Sequence, residues 1–399
     1  MPLLTRLYSP HDFAVQNLFL QVVMFSVGFM TWRYEYFIQL PKEDGDAESL
    51  LCWVLVHGLV VLIFATFLCW LARERLAYWL GDLDLKPWLV WAPLSALLIC
   101  YSVAMLHVVQ RKGNFKKSGL SELVGKSAYI GSGVLGYGLG GPIGLIAAPA
   151  ASAVAKMGCL LDLGKMNHSL LKKLFSSDKK SYTQGMKRQA VIYRRLANSM
   201  VFSHILSTVT ASLPPVFIAH VYGGSVLGQF ALVASTIYLP AGLVGIAIGQ
   251  VYYQRAAEKW ANGQSFDDVW RVTVRKLFIF GLPLYTSLYM LAPWGYPLIF
   301  GKGWNDSGFY ASVMAIAAFF SFASSPLDRT SLIVGGWWYL PIWHCLRAIT
   351  TVLVVFLAEE FKLNFNEFLC FLVVQMSAMY LIDFIMEWHF ASIKPRIAR

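Results

Sequence analysis

About eleven stretches of predominantly apolar residues, each long enough to cross a bilayer, fill this chain of 399 residues. Few features constrain a fold as tightly. Hydrocarbon holds no water to satisfy an open backbone, so each crossing must be a helix of roughly 20 residues that closes its own hydrogen bonds. The spans fall near residues 12 to 32, 48 to 71, 87 to 109, 119 to 139, 140 to 161, 197 to 220, 222 to 252, 273 to 295, 306 to 334, 338 to 358 and 363 to 388. Composition agrees: the chain is 57% hydrophobic and only 14% charged, with a mean hydropathy of +0.56, where a soluble domain is about a quarter charged. The expected fold class is all-α, a polytopic membrane protein. Trp32, Trp53, Trp70, Trp88, Trp294, Trp304, Trp337 and Trp388 stand near span ends, where an amphipathic ring sits between headgroup and tail.

Basic residues orient the spans. One set of connections carries Arg33 and Lys42, then Arg111 to Lys117, the run from Lys165 to Arg195, Arg255 to Lys276, and the tail from Lys394 to Arg399. The alternate set holds Arg6, Arg73, Arg75, Lys86, Lys302 and Lys362. The first set therefore faces the cytoplasm, the carboxyl end is cytoplasmic, and an odd number of spans puts the amino end outside. The net charge of +11 follows this topology and does not point to nucleic acid; its densest part, 162 to 196, reads as a linker against anionic headgroups. All six cysteines lie in apolar spans without paired spacing, so neither a disulfide frame nor a metal site is expected.

An internal repeat divides the chain. Leu7-Tyr8-Ser9-Pro10 leads into a span that exits at Tyr34-Glu35-Tyr36-Phe37, and Val221-Tyr222-Gly223-Gly224 leads into one that exits at Gln250-Val251-Tyr252-Tyr253. Each copy opens on an outer turn and runs inward to an aromatic exit. The expected organisation is an amino-terminal bundle over 1–161, a basic cytoplasmic linker over 162–196 and a carboxy-terminal bundle over 197–399.

Three stretches carry a family resemblance: Thr5-Arg6-Leu7-Tyr8-Ser9-Pro10 with the span after it; Gly228-Gln229-Phe230-Ala231-Leu232 through Leu239-Pro240 to Tyr253; and Phe300-Gly301-Lys302-Gly303-Trp304 followed by Ser324-Ser325-Pro326-Leu327. In this order and spacing the chain resembles the polysaccharide flippases of the multidrug/oligosaccharidyl-lipid/polysaccharide exporter superfamily, particularly O-antigen and capsule repeat-unit translocases. The resemblance implies two six-helix bundles around a central cavity that opens alternately to each side. It also implies a lipid-linked oligosaccharide substrate, contact with membrane lipids, partnership with polymerase and chain-length machinery, and the cytoplasmic (inner) membrane as location. The pattern's first helix is absent here, which a misassigned start codon or a truncation would each explain. Ala14 replaces a usual glycine, and Asp328-Arg329 stands where small or apolar residues are usual.

Ionisable side chains at membrane depth cost about 2.5 to 3.5 kcal/mol each on insertion scales, so each needs a partner, a wet cavity or a route to the interface. The substrate's pyrophosphate makes cations the first candidates: Lys126 and Arg347, then Arg329 and Lys156. Asp383 and Asp328 are candidates for ion coupling. Each has a plainer reading. Lys156 lies within snorkelling reach of its span end, Arg347 and Asp383 on adjacent spans would suit a structural pair, and Asp328-Arg329 would suit a helix end after Pro326. Gly136 and Gly140, four apart, suit close helix approach, and Gln16, Asn17 and Gln21 suit either a cavity wall or interhelical hydrogen bonds.

Gly119 to Ser127 imitates a phosphate loop but has one residue too many between its glycines and no preceding strand, so ATP binding is discounted and no cofactor is expected. The leading reading is a flippase for a polyprenyl-pyrophosphate-linked oligosaccharide, a transporter and not an enzyme. Two alternatives stand beside it. A drug or small-cation exporter would favour an acidic or aromatic cavity, and a membrane polymerase or ligase would need a positioned nucleophile and base that the scattered histidines do not supply.

Overall fold

The computed structural model describes residues 1–161 and 179–394. Every regular element among them is helical: α1 (Pro2–Leu7), α2 (Pro10–Met30), α3 (Asp44–Leu80), α4 (Ala92–Arg111), α5 (Phe115–Tyr137), α6 (Ile143–Leu160), α7 (Lys179–Val221), α8 (Gly224–Ile237), α9 (Leu239–Ala261), α10 (Asp267–Phe300), α11 (Asn305–Ser324), α12 (Thr330–Ile333), α13 (Tyr339–Glu360) and α14 (Phe365–Ala391), with short 3₁₀ turns between some of them. The chain divides into two compact units after Ser212, inside α7. Of the expected linker, 162–178 lie outside the described residues, and 179–196 form the opening turns of α7.

Ten helical segments are long and apolar enough to span a membrane. The eleventh expected span, 119–139, is α5, which is long enough at 23 residues but is diluted by Lys116, Lys117, Glu122, Lys126 and five glycines between Gly119 and Gly136. Two expected spans are broken. The stretch 222–252 divides at Tyr238, because Pro240 cannot donate to the carbonyl four residues back and is tolerated only in a first helical turn. The stretch 306–334 becomes α11, a 3₁₀ turn at Ser325–Leu327 and the short α12, with Pro326 in the break. Large apolar side chains such as Ile63, Phe64 and Phe67 on α3 are exposed, as lipid-facing residues must be. Trp304 departs from the expected aromatic belt, being 2% exposed.

Prolines inside the helices decide much of the packing. A proline frees the carbonyl four residues before it, and in a bilayer that oxygen must find another donor. In the first unit, Pro149 of α6 frees Leu145, whose oxygen accepts from Gln16 Nε2 of α2 at 3.1 Å. The second unit repeats the device. Pro293 of α10 frees Tyr289, whose oxygen accepts from Ser312 Oγ of α11 at 2.8 Å. Pro297 frees the carbonyl of Pro293 itself, and here α11 presents Gly308. A methyl group on Gly308 would stand 2.8 Å from Ala292 O and Pro293 Cα and 2.9 Å from Pro293 O. Gln229 of α8 closes the start of α11, accepting from Ser307 N at 2.8 Å and donating to Asp306 at 3.1 Å.

Glycines let α5 and α6 meet. Gly136 faces the backbone of Gly144, and Leu4 of α1 fills the space above Gly133, whose carbonyl accepts from Tyr8 Oη at 2.7 Å. Gly140 plays a different part from the one its spacing suggests: with Gly141 it adopts positive φ (81° and 58°) in the turn and touches nothing.

Candidate functional site

In the second unit, α9 carries Ala241, Gly242, Gly245 and Gly249 at helical spacing, a face almost without side chains. Pro326 packs on it: a Cβ on Gly249 would lie 3.0 Å from Pro326 O. Beside this contact a cavity of about 500 Å³ is lined by Tyr238, Gln250, Ser321, Ser325, Asp328, Arg329 and Tyr380, together with that small-residue face. The break after α11 thus exposes Asp328 and Arg329 at a wet surface inside an apolar bundle.

Both cations of this unit lie against aromatic rings. Arg329 stands 6.0 Å from the centroid of Tyr253. Arg347 of α13 stands 5.6 Å from that of Trp343 and 6.0 Å from that of Tyr380, which is itself a wall of the cavity. A guanidinium held over a ring keeps its donors for other acceptors.

Arg347 and Asp383 do not pair. Asp383 is 5% exposed and both its oxygens are taken, one by Ser324 Oγ and the other by Tyr339 Oη at 2.9 Å. Tyr339 precedes Arg347 by eight residues on α13, about 12 Å along the axis, so the two charges lie at different levels. One turn beyond Asp383 on α14 is Glu387, fully buried, with neither oxygen hydrogen-bonded; the neighbouring Ser331 Oγ is buried and unpartnered as well. Sequence reasoning missed Glu387 because it lies near a span end, although its i, i+4 relation to Asp383 was visible.

In the first unit, Lys156 of α6 reaches both oxygens of Glu122 on α5, at 2.7 and 2.8 Å, and its stem lies across Gly125. It is a paired residue joining two helices. Lys126 on α5 is exposed and makes no ion pair among the described residues. Gln16 and Gln21 serve interhelical hydrogen bonds: Gln16 to Leu145 O and Tyr129 Oη, and Gln21 Oε1 accepting from Ser212 Oγ at 2.7 Å. At the end of α2, Trp32 and Arg33 adopt positive φ (50° and 61°), and Glu35 in the turn that follows is 1% exposed. Thr31 donates to Glu35, Arg33 lies 3.6 Å from it, and Arg33 Nη2 lies 3.0 Å from His204 Nδ1. Burial nonetheless pushes the Glu35 carboxyl above its ordinary range.

A family model described as polysaccharide biosynthesis protein matches residues 3–308. No curated protein matches the chain. Among solved structures, the inward-facing conformation of a multidrug resistance MATE family transporter of the MOP superfamily aligns with 98% of this chain and 95% of its own, at 14% identity and a TM-score of 0.70. The lipid II flippase MurJ, in an inward closed conformation, aligns over 96% of this chain and 80% of its own, at 13% identity and a TM-score of 0.67. The MATE multidrug transporter DinF-BH in complex with R6G covers 96% and is covered over 86%, at 14% identity and a TM-score of 0.59. At these identities the likeness is one of fold: an all-α, multi-pass membrane architecture.

Proposed function

Because the chain belongs to the polysaccharide biosynthesis protein family, we propose that it flips a polyprenyl-pyrophosphate-linked oligosaccharide from the cytoplasmic to the outer leaflet of the cytoplasmic membrane, by alternating access and with its carboxyl end in the cytoplasm. It acts as a transporter, not an enzyme. Family membership is the observation that carries the reading, and a fold held in common with a lipid II flippase supports it. The roles follow from charge. Lys126, exposed and unpaired among the described residues, and Arg347 and Arg329, held on aromatic faces, neutralise the pyrophosphate as it passes. Lys156, engaged by Glu122, holds α5 to α6 and binds substrate only if that pair opens. Asp383 and Asp328, with Glu387, form the ion-coupling group, since carboxylates inside a bundle exchange cations or protons with a wet cavity beside them. Polymerase and chain-length proteins are its partners downstream.

One observation favours a second reading. The acidic residues Asp328, Asp383 and Glu387 on a MATE-like fold suit export of a small organic cation. Cells lacking the gene separate the two. Flipping predicts loss of surface polymer with single lipid-linked repeat units held on the cytoplasmic face, restored by the wild-type chain and not by K126Q/R347Q at equal protein level. Unchanged polymer together with raised sensitivity to cationic dyes would overturn flipping in favour of export.

A further inference from the structure

The first unit contains a second cavity that the transport reading does not use. On α7, Lys187, Ala190, Val191, Arg194 and Asn198 recur at i, i+3, i+4, i+7 and i+11, which is one helical face. Opposite stand Trp32 and Tyr34, from the turn after α2, and Trp53 and His57 on α3, enclosing about 560 Å³. The walls are tied at two levels: Tyr34 Oη donates to Ala190 O at 2.9 Å, and Trp32 Nε1 donates to Asn198 Oδ1 at 2.8 Å. Left-handed backbone at Trp32, costly for so bulky a residue, is what aims that indole at Asn198.

We propose that this groove binds the phosphate headgroup of an anionic phospholipid from the leaflet that the positive-inside rule makes cytoplasmic. Three observations converge on that chemistry. Lys187 and Arg194 are both exposed and make no ion pair among the described residues, whereas Arg188, off the face, lies 3.8 Å from Asp46. No acidic residue lines the groove, so its charge complement is an anion. The indole N–H of Trp53 is buried without an acceptor, a cost that a ligand oxygen removes.

A lipid, and not a soluble anion, follows from the flanks. Val191 is 71% exposed, and Val56 and Val60 on α3 are 42% and 63% exposed, so apolar surface that acyl chains would cover adjoins the cationic site. Tryptophan and tyrosine rings between charge and hydrocarbon are the usual furniture of the headgroup level. The inference is independent of what the protein transports.

Native mass spectrometry of the purified, delipidated chain in detergent tests it, titrating phosphatidylglycerol against phosphatidylcholine of the same acyl chains. The wild-type chain should retain phosphatidylglycerol selectively. K187Q/R194Q should lose about thirtyfold in apparent affinity, the weight of two basic residues at a lipid surface, and K187R/R194K should keep it. W53F should weaken retention with both charges in place. Should the double variant fail to fold by circular dichroism, R194Q alone, at an exposed position, gives the same readout with a loss of about fivefold. Equal retention of the two lipids, undiminished phosphatidylglycerol on the glutamine variants, or displacement of the lipid by millimolar inorganic phosphate would each overturn the proposal.

Discussion

The approach of α11 to α10 can be tested with two alanines. Gly308→Ala puts a methyl group 2.8 Å from Ala292 O and Pro293 Cα, about 0.6 Å inside the 3.4 Å at which ordinary contact begins. All three of its neighbours are backbone atoms of one helix, so no side chain can swing aside and α10 and α11 must part. That movement also stretches the 2.8 Å bond from Ser312 Oγ to Tyr289 O, made one turn further along. Overpacking of this kind costs about 1 to 3 kcal/mol, and weakening the hydrogen bond adds about 1 kcal/mol. Against this, alanine is the better helix former by about 0.8 kcal/mol. The net expectation is a loss of about 2 kcal/mol. Gly295→Ala on α10 is the control, because a methyl group there meets nothing within 4 Å and only the propensity gain of about 0.8 kcal/mol remains. Unfolded fractions in mixed detergent and dodecyl sulfate micelles give both values. If Gly308→Ala proves as stable as Gly295→Ala, the close approach does not hold α10 to α11 and the reasoning fails.

Two further outcomes follow from the first unit. Gln16→Leu should cost about 1 to 3 kcal/mol by stranding the Leu145 carbonyl, and much less in a Pro149→Ala background, where the new backbone N–H can donate to it; a double-mutant cycle with no coupling would show that Pro149 does not create the need for Gln16. Glu35 has a folded-state pKa above its unfolded value, so whatever favours its protonated form is fully present below the unfolded pKa and is lost as pH rises through the folded one. Thermal stability of the wild-type chain relative to Glu35→Gln should therefore decline from pH 4 upward and level off once Glu35 is ionised; a flat or rising difference would contradict the burial argument.

Length and apolarity made the spans legible, because a helix that faces lipid on one side and protein on the other needs little more from its sequence. Breaks were harder to see. Pro240 and Pro326 were plain in the sequence, yet the apolar runs around them are continuous, and only packing decides whether a membrane proline bends a helix or ends it. The polar residues were least legible. Glu122 and Lys156 pair because the α5–α6 turn sets their register, and that register depends on Gly140 and Gly141 adopting positive φ. Arg347 and Asp383 stay apart for the same kind of reason, the stagger of α13 against α14, which no one-dimensional spacing contains. Glu387 shows the converse, a residue whose relation to Asp383 was readable and whose burial was not.

The proline carbonyls also act as an address system. A helix displaced by one residue against its neighbour moves 1.5 Å along the axis and turns about 100°, enough to aim Gln16 or Ser312 away from its target and leave an oxygen bare in oil. A misaligned pair is penalised at one atom, not merely packed less well. The label costs insertion little, because the missing proton is supplied by a second helix only after both are in the bilayer. Alignment in each unit is thus written partly in what the chain lacks, and helices already threaded through the membrane can find their mates by it.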